Sequence, residues 1–412
     1  MKVKTKTYSS KSLIIVASMI FVIGISIQAI VPGKEFQVNK YTQDQQWYPD
    51  TAMNGKGNFV VVWESEYQDK DAGGVFGQLF NSQGQKVGKE FRVNKTIESV
   101  QGSPAVAMDR AGNFVVVWES YAQDGDKYGI FGQRFNQSGK KVGKEFQVNT
   151  TSDNHQLFPD VAMDVKGNFV VTWTSVLKKK NMFEVLAQRF NKFGKPLGDE
   201  FQVNTHVPYN QWLSQISMDR KGNFIIVWES EHQDYDAGGV YAQLYSKTGS
   251  KIGDEFRVNT STISVQGSPT VAMDIRGNFI VAWECFWFDG DGYGVFAKIF
   301  DSEGTALTNE FQVNDCTTNN QILPHVGIDR RGNSIIVWES FEQDSSNAGV
   351  YARRFNKDGI NISNEFRVNE YTQGNQGSPR TAMSYAGNFV VVWECYEQDG
   401  DSYGVFARHY KK

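Results

Sequence analysis

The sequence predicts an all-β fold, a seven-bladed β-propeller built from 55-residue repeats. Three observations predict it. First, Gly-Asn recurs at 57, 112, 167, 222, 277, 332 and 387, with a tryptophan six residues after each glycine, and Glu-Phe-x-Val-Asn begins at 35, 90, 145, 200, 255, 310 and 365. A period near 50 residues marks a propeller, a solenoid or an array. Second, each repeat holds four short runs rich in β-branched and aromatic residues, separated by turn residues. Third, the copies are permuted. Glu35-Phe-Gln-Val-Asn39 precedes any first strand, and the chain ends just after a third strand.

Within one repeat, the first strand candidate is Pro-Ala-Val-Ala-Met at 104–108, with small residues at Ala52, Ala107, Ala162 and Ala272 that suit a crowded hub. The second is Phe-Val-Val-Val-Trp at 114–118. It is apolar on both faces, so its sheet must be covered on both sides, and blades stacked in a ring provide that cover. The turn between these strands, Asp109-Arg-Ala-Gly112-Asn, has a glycine free to take positive φ. The third strand is Gly-Ile-Phe-Gly-Gln-Arg-Phe at 129–135 and the fourth Glu-Phe-Gln-Val-Asn at 145–149. The permutation then assigns the N-terminal strand to the last blade, where it closes the ring and removes the sheet edges. An open stack would need capping repeats, and the end copies here are ordinary.

The chain has 412 residues and a formal net charge of −4, with 14% aromatics and 39 glycines. That composition suits a turn-rich β protein and excludes disorder, collagen and a basic nucleic-acid binder. Residues 1–33 read as a secretion segment. Lys2, Lys4, Lys6 and Lys11 precede an apolar run from Leu13 to Val31 that fits a cleaved signal peptide or a retained anchor. Either places the propeller, residues 34–412, outside the cytoplasm, secreted or held at the outer face of the membrane. Membrane contact is expected only through that segment. The three cysteines show no pairing logic and read as free thiols.

Strands in a meander alternate in direction, so the two-to-three and four-to-one loops share one face. That face is strongly acidic, and the opposite turns are rich in lysine and arginine. Its loops follow one pattern: Glu after Trp, then Asp, then often a second Asp. Glu119, Asp124 and Asp126 form one set; Asp69 and Asp71, Asp234 and Asp236, Asp289 and Asp291, and Asp399 and Asp401 form others. Closely spaced carboxylates suit a hard cation such as calcium, although Asp and Gly are also ordinary turn formers. Repeat three departs from the pattern with Lys178, Lys179 and Lys180.

A glutamine recurs in every four-to-one loop, including Gln101, Gln266 and Gln376. Aromatics vary on the same face: Trp47, Trp212, Trp287, Tyr128, Tyr293 and Tyr403. Exposed rings beside amides and carboxylates are what a sugar site uses; blade packing and satisfied backbone groups account for the same residues otherwise. Catalysis finds little support, because the five histidines fall at different repeat positions and every loop keeps its length.

The units GNFVVVWES, QDGDxYGVF and EFQVN, over residues 34–411, resemble a repeat found in microbial secreted and surface proteins. The resemblance implies an extracellular propeller-type array and brings no catalytic residues with it. The expected function is a recognition propeller whose acidic face binds glycan or a cell-surface protein, with calcium as a candidate cofactor. The alternatives are an adhesive surface module without a small-molecule site and a glycoside-active enzyme.

Overall fold

The computed structural model describes residues 30–177, 182–234, 237–344 and 347–412. The residues of the secretion segment up to 29, the Lys178–Lys180 run, Asp236 and Ser346 lie outside them. Seven four-stranded antiparallel sheets form a ring, which is the predicted seven-bladed propeller. In blade 1 the strands run Gln46–Met53, Phe59–Ser65, Gly74–Phe80 and Lys86–Arg92. The ring closes as the permutation requires: Val31–Gln37 pairs antiparallel with Tyr403–Lys411 and becomes the fourth strand of blade 7. First strands touch their neighbours all the way round, from Gln46–Met53 back to Gln376–Met383, so the first strand is the innermost one.

The second strand carries the core. Phe59–Ser65 is buried along its whole length, and the seven tryptophans from Trp63 to Trp393 are all at most 1% exposed. Seven apolar clusters fill the seven spaces between blades. In one of them Val60 and Val62 of blade 1 face Val116 and Trp118 of blade 2. The cluster at the closure, with Val38, Val61 and Trp63 against Val390, Val392 and Val405, is built like the others.

The glutamate of each Glu-Phe-x-Val-Asn unit ties blades together. The amides of Lys40, Lys95, Thr150, Thr205, Thr260, Asp315 and Glu370 donate to Glu90, Glu145, Glu200, Glu255, Glu310, Glu365 and Glu35 at 2.5–2.7 Å. The asparagine of the unit accepts the amide that begins the third-strand ladder, as Asn94 does from Val75 at 3.0 Å. The glutamate bonds, being charge-assisted, are among the stronger ones.

Two details depart from the sequence reading. The first strands begin earlier than expected, because each carries a bulge after its second residue (Trp47/Asp50 in blade 1). The fourth strands of blades 3, 5 and 6 shrink to Phe201–Gln202, Phe311–Gln312 and Phe366–Arg367. In blades 1, 2 and 4 a glycine at positive φ (Gly88, Gly143, Gly253) sits at the bulge of the longer strand; blade 3 has the same glycine, Gly198, so the glycine alone does not extend the pairing. In blades 5 and 6 Thr308 and Ser363 stand there instead, and their hydroxyls accept the amides of Ile299 and Arg354 at 3.1 Å.

Candidate functional site: the axial cavity

The bulge places one residue of every first strand in the left-handed region. Tyr48, Ser103, Phe158, Leu213, Ser268, Leu323 and Ser378 have φ between 46° and 53°. Such backbone costs on the order of 1–3 kcal/mol per residue and persists only where its surroundings hold it. At six of the seven bulges the glutamate after a tryptophan does the holding. The amide of Ser103 donates to Glu64 (3.1 Å), Phe158 to Glu119 (2.6 Å), Ser268 to Glu229 (3.2 Å), Leu323 to Glu284 (2.9 Å), Ser378 to Glu339 (3.1 Å) and Tyr48 to Glu394 (3.0 Å). Each bond crosses to the next blade. Burial pushes Glu64, Glu119 and Glu339 up to about 7, and raises Glu229, Glu284 and Glu394 as well. Blade 3 has Thr174 in this place.

These bulges surround a cavity of about 330 Å³ on the propeller axis, lined by all seven blades. It is near the lower end of the usual range for small-ligand sites. Its outer ring is the seven bulge residues, and Tyr48 and Phe158 there are 49% and 44% exposed. Two residues further along each strand lies an inner ring: Asp50, Ala105, Asp160, Gln215, Thr270, His325 and Arg380. The outer ring lies on the side of the acidic loops, because the first strand starts from a four-to-one loop.

Inner-ring side chains cap the open edge of the neighbouring first strand. Asp50 accepts the Val106 amide at 2.7 Å, Asp160 the Ile216 amide at 2.8 Å, and Nδ1 of His325 the Thr381 amide at 3.2 Å. Burial pushes Asp50 up to about 6 and Asp160 up to about 7, although the backbone amides and Arg380 pull them down. Burial, reinforced by Arg380, drives His325 down to about 3. At neutral pH His325 is therefore an uncharged imidazole. Its Nδ1 is occupied as an acceptor, which leaves Nε2 to carry the proton. The Arg380 guanidinium donates to the Pro379 carbonyl at 3.0 Å, and it is the one Lys or Arg among the lining residues. The cavity is thus polarised, acidic at blades 1 and 3 and basic at blade 7.

The residues expected from sequence to form sites are placed differently. Gln101, Gln266 and Gln376 are at most 1% exposed. Their carbonyl oxygens accept from Asn94, Asn259 and Asn369 at 2.8–3.0 Å, and their amide groups donate to backbone carbonyls. They are part of the wall and present nothing to a ligand. Tyr128, Tyr293 and Tyr403 pair across the hairpin tips with Tyr121, Phe286 and Tyr396. Trp47 and Trp212 are half-buried against Tyr48 and Phe183, while Trp287 stands 61% exposed at a loop tip, outside the cavity lining.

Of the expected metal ligands, the first Asp of the loop turns to the asparagine of its own blade. Asn149 donates to Asp124 at 3.2 Å, Asn314 to Asp289 at 2.9 Å, Asn39 to Asp399 at 3.1 Å and Asn94 to Asp69 at 3.4 Å. Asp234 lies 4.0 Å from Arg257. The second Asp accepts an amide of the following loop: Asp71 from Ser99, Asp126 from Asn154, Asp291 from Asn319 and Asp401 from Asp44, at 2.8–3.1 Å. Glu119 is the bulge clamp already described. Among the described residues no group of three His, Cys, Asp or Glu is placed to hold a metal. In blade 3, where the acidic loop is missing, Glu184 from the third strand takes over, accepting from Gln202 at 2.9 Å and from Asn204.

Sequence reasoning missed Tyr48, Asp50, Phe158, Asp160, Gln215, Thr270 and Arg380, and treated His325 as one of five scattered histidines. The signal was present as variation. The glutamine four residues before the inner-ring residue is identical in all seven repeats, while that residue takes six identities.

Fold and site together define a seven-bladed β-propeller with a cavity on its axis lined by both apolar and polar side chains. No family model matches the chain, and no curated protein matches it in sequence. Among solved structures it is similar to a protein of unknown function from Dyadobacter fermentans, at 8% identity over 93% of this chain and 99% of that one, with a TM-score of 0.57. It is also similar to the α-L-arabinanase of Penicillium chrysogenum complexed with arabinobiose, at 12% identity over 80% and 99%, TM-score 0.55. A polysaccharide lyase matches at 10% identity over 93% of each chain, TM-score 0.51. At these identities the likeness is one of fold.

Proposed function

We propose that this is a glycan-binding propeller acting outside the cytoplasm, which takes a sugar unit into the axial cavity from the acidic face. One observation carries the reading. The repeat keeps its tryptophan, glutamine, asparagine and glutamate in nearly every blade, and burial in the core (the tryptophans) or hydrogen bonds within the fold explain them. The inner ring diverges, as loop positions at the surface also do, but it diverges where seven copies converge on one small volume. A seven-fold ring cannot match an asymmetric ligand unless such positions differ. The cavity offers what a sugar needs: aromatic rings at the mouth for its apolar face, and amide, hydroxyl, imidazole and guanidinium groups for its hydroxyls. An arabinobiose complex of the Penicillium propeller is in keeping with this use of the fold.

The test is a glycan array probed with the full chain and with Tyr48→Ala and Phe158→Ala. Binding that both variants weaken supports the reading; binding unchanged in both moves the site to the loops. A second reading, glycoside cleavage, is favoured by Asp50 and Asp160, two carboxylates with raised pKa in one cavity. Turnover of chromogenic glycosides that disappears in Asp160→Asn would establish it.

A further inference from the structure

Blades 1 and 3 carry the same unit at the cavity: Tyr48-Pro49-Asp50 and Phe158-Pro159-Asp160. No other blade pairs an aromatic outer-ring residue with an inner-ring acid. Blade 2, between them, has only Ser103 and Ala105, so the two units flank a notch walled by small side chains. Resting on the glycan reading above, we propose that this half of the cavity is a subsite for a protonated amine, and that the ligand is an amino-sugar glycan.

The chemistry of the notch matches that group. Two aromatic rings stand at its mouth, nearly half exposed, and two carboxylates lie beneath them. An ammonium over an aromatic face gains roughly 0.5–2 kcal/mol, more as water is excluded. A carboxylate has about four acceptor positions, so the backbone amides that Asp50 and Asp160 accept leave room for a ligand N–H. Arg380 acts on both aspartates through its charge but stands beyond ion-pair distance of them, its guanidinium donating to the Pro379 carbonyl. A second observation points to an occupant. Thr270, in blade 5, lines the same cavity, is 2% exposed, and its hydroxyl has no hydrogen-bond partner. An unsatisfied buried hydroxyl is costly, and a sugar hydroxyl facing the amine subsite would complete it. Burial holds both aspartates well above the ordinary carboxylate range, so an entering cation would relieve a cost already present in the empty cavity. The acidic face supplies steering toward the mouth.

The experiment compares glucosamine hexamer with N-acetylglucosamine hexamer, which have the same backbone with and without the charge. Both are titrated calorimetrically into the full chain near physiological salt and at higher salt. The free-amine oligomer should bind at least about tenfold tighter, a difference of about 1.4 kcal/mol. Asp50→Asn and Asp160→Asn keep the amide acceptor and should each reduce that preference. Glu98→Gln, which removes an exposed acidic-face charge, should keep it. The double variant Tyr48→Ala/Phe158→Ala removes two half-exposed rings and should weaken the free-amine oligomer, with thermal unfolding of the variant confirming that the fold is kept. Equal binding of the two oligomers, or a preference lost equally in Glu98→Gln, overturns the inference and leaves the glycan reading standing. Failure of both hexamers and of every arrayed glycan to bind overturns both.

Discussion

Raising the pH should destabilise this propeller through the glutamates that clamp its bulges. Glu64, Glu119 and Glu339 stand at about 7 in the folded protein, against an ordinary value of 4.5. Between those values the folded state keeps protons that the unfolded chain has released. Stability is therefore full at the acidic end and falls as pH rises through the window. A gap of about 2.5 units at 1.36 kcal/mol per unit sets an upper value of about 3 kcal/mol for each glutamate. An unfolding entropy of about 2.1 cal/mol/K per residue, over roughly 380 residues, makes that a Tm change of about 4 °C each and about 10 °C for the three. Asp160, also held at about 7, acts in the same direction. The assay is thermal unfolding followed by circular dichroism at constant ionic strength, near pH 5 and near pH 8. The triple variant Glu64→Gln/Glu119→Gln/Glu339→Gln retains an acceptor for each bulge amide and removes the charge. It should show a flatter pH profile and a higher Tm than the natural protein near pH 8. A Tm that stays level or rises between pH 5 and pH 8 would show that these glutamates are not held protonated in the folded protein.

Three further outcomes follow from the same geometry. Millimolar calcium or EDTA should move Tm by less than about 1 °C, because the loop carboxylates already have amide and asparagine partners; a calcium-specific rise of several degrees, the expected result of binding to the folded state alone, would show a metal site. Cys285 and Cys395 are buried, their thiols pushed up to about 11 and about 12 by burial, while Cys316 is partly exposed; mass spectrometry after maleimide treatment should find one label on the native protein and three after denaturation. Val38→Ala, at a fully buried position just past the closing strand, should cost about 2 kcal/mol, read as a lower denaturant midpoint with an unchanged slope.

The fold was legible because its evidence is repeated seven times. The Gly-Asn turns, the Trp strand and the Glu-Phe-x-Val-Asn strand recur without insertion, so one interpretation had to satisfy every copy, and the permuted ends assigned Glu35–Asn39 to blade 7, where the strand Val31–Gln37 is found. The site was less legible for the same reason. Attention to recurring residues selected Gln101 and Asp124, which recur because they hold the chain to itself. Asp50 and Arg380 occupy a column without a consensus, and only the closure of the ring shows that this column faces one cavity. The clamping role of Glu119 was hidden too, since its partner is the amide of Phe158 on the next blade, and a backbone amide leaves no mark in a sequence. Neither does the bulge: positive φ at Tyr48 or Leu213 falls on residues that do not favour it.

A crystal structure of the full chain with the tightest-binding oligosaccharide from the array would decide between the axial cavity and the loops. A sugar unit should sit on the axis, in contact with Tyr48, Phe158 and the inner-ring groups Gln215 and Arg380. Sugar density over the loop tips around Trp287, with the axial cavity holding only water, would place the site elsewhere.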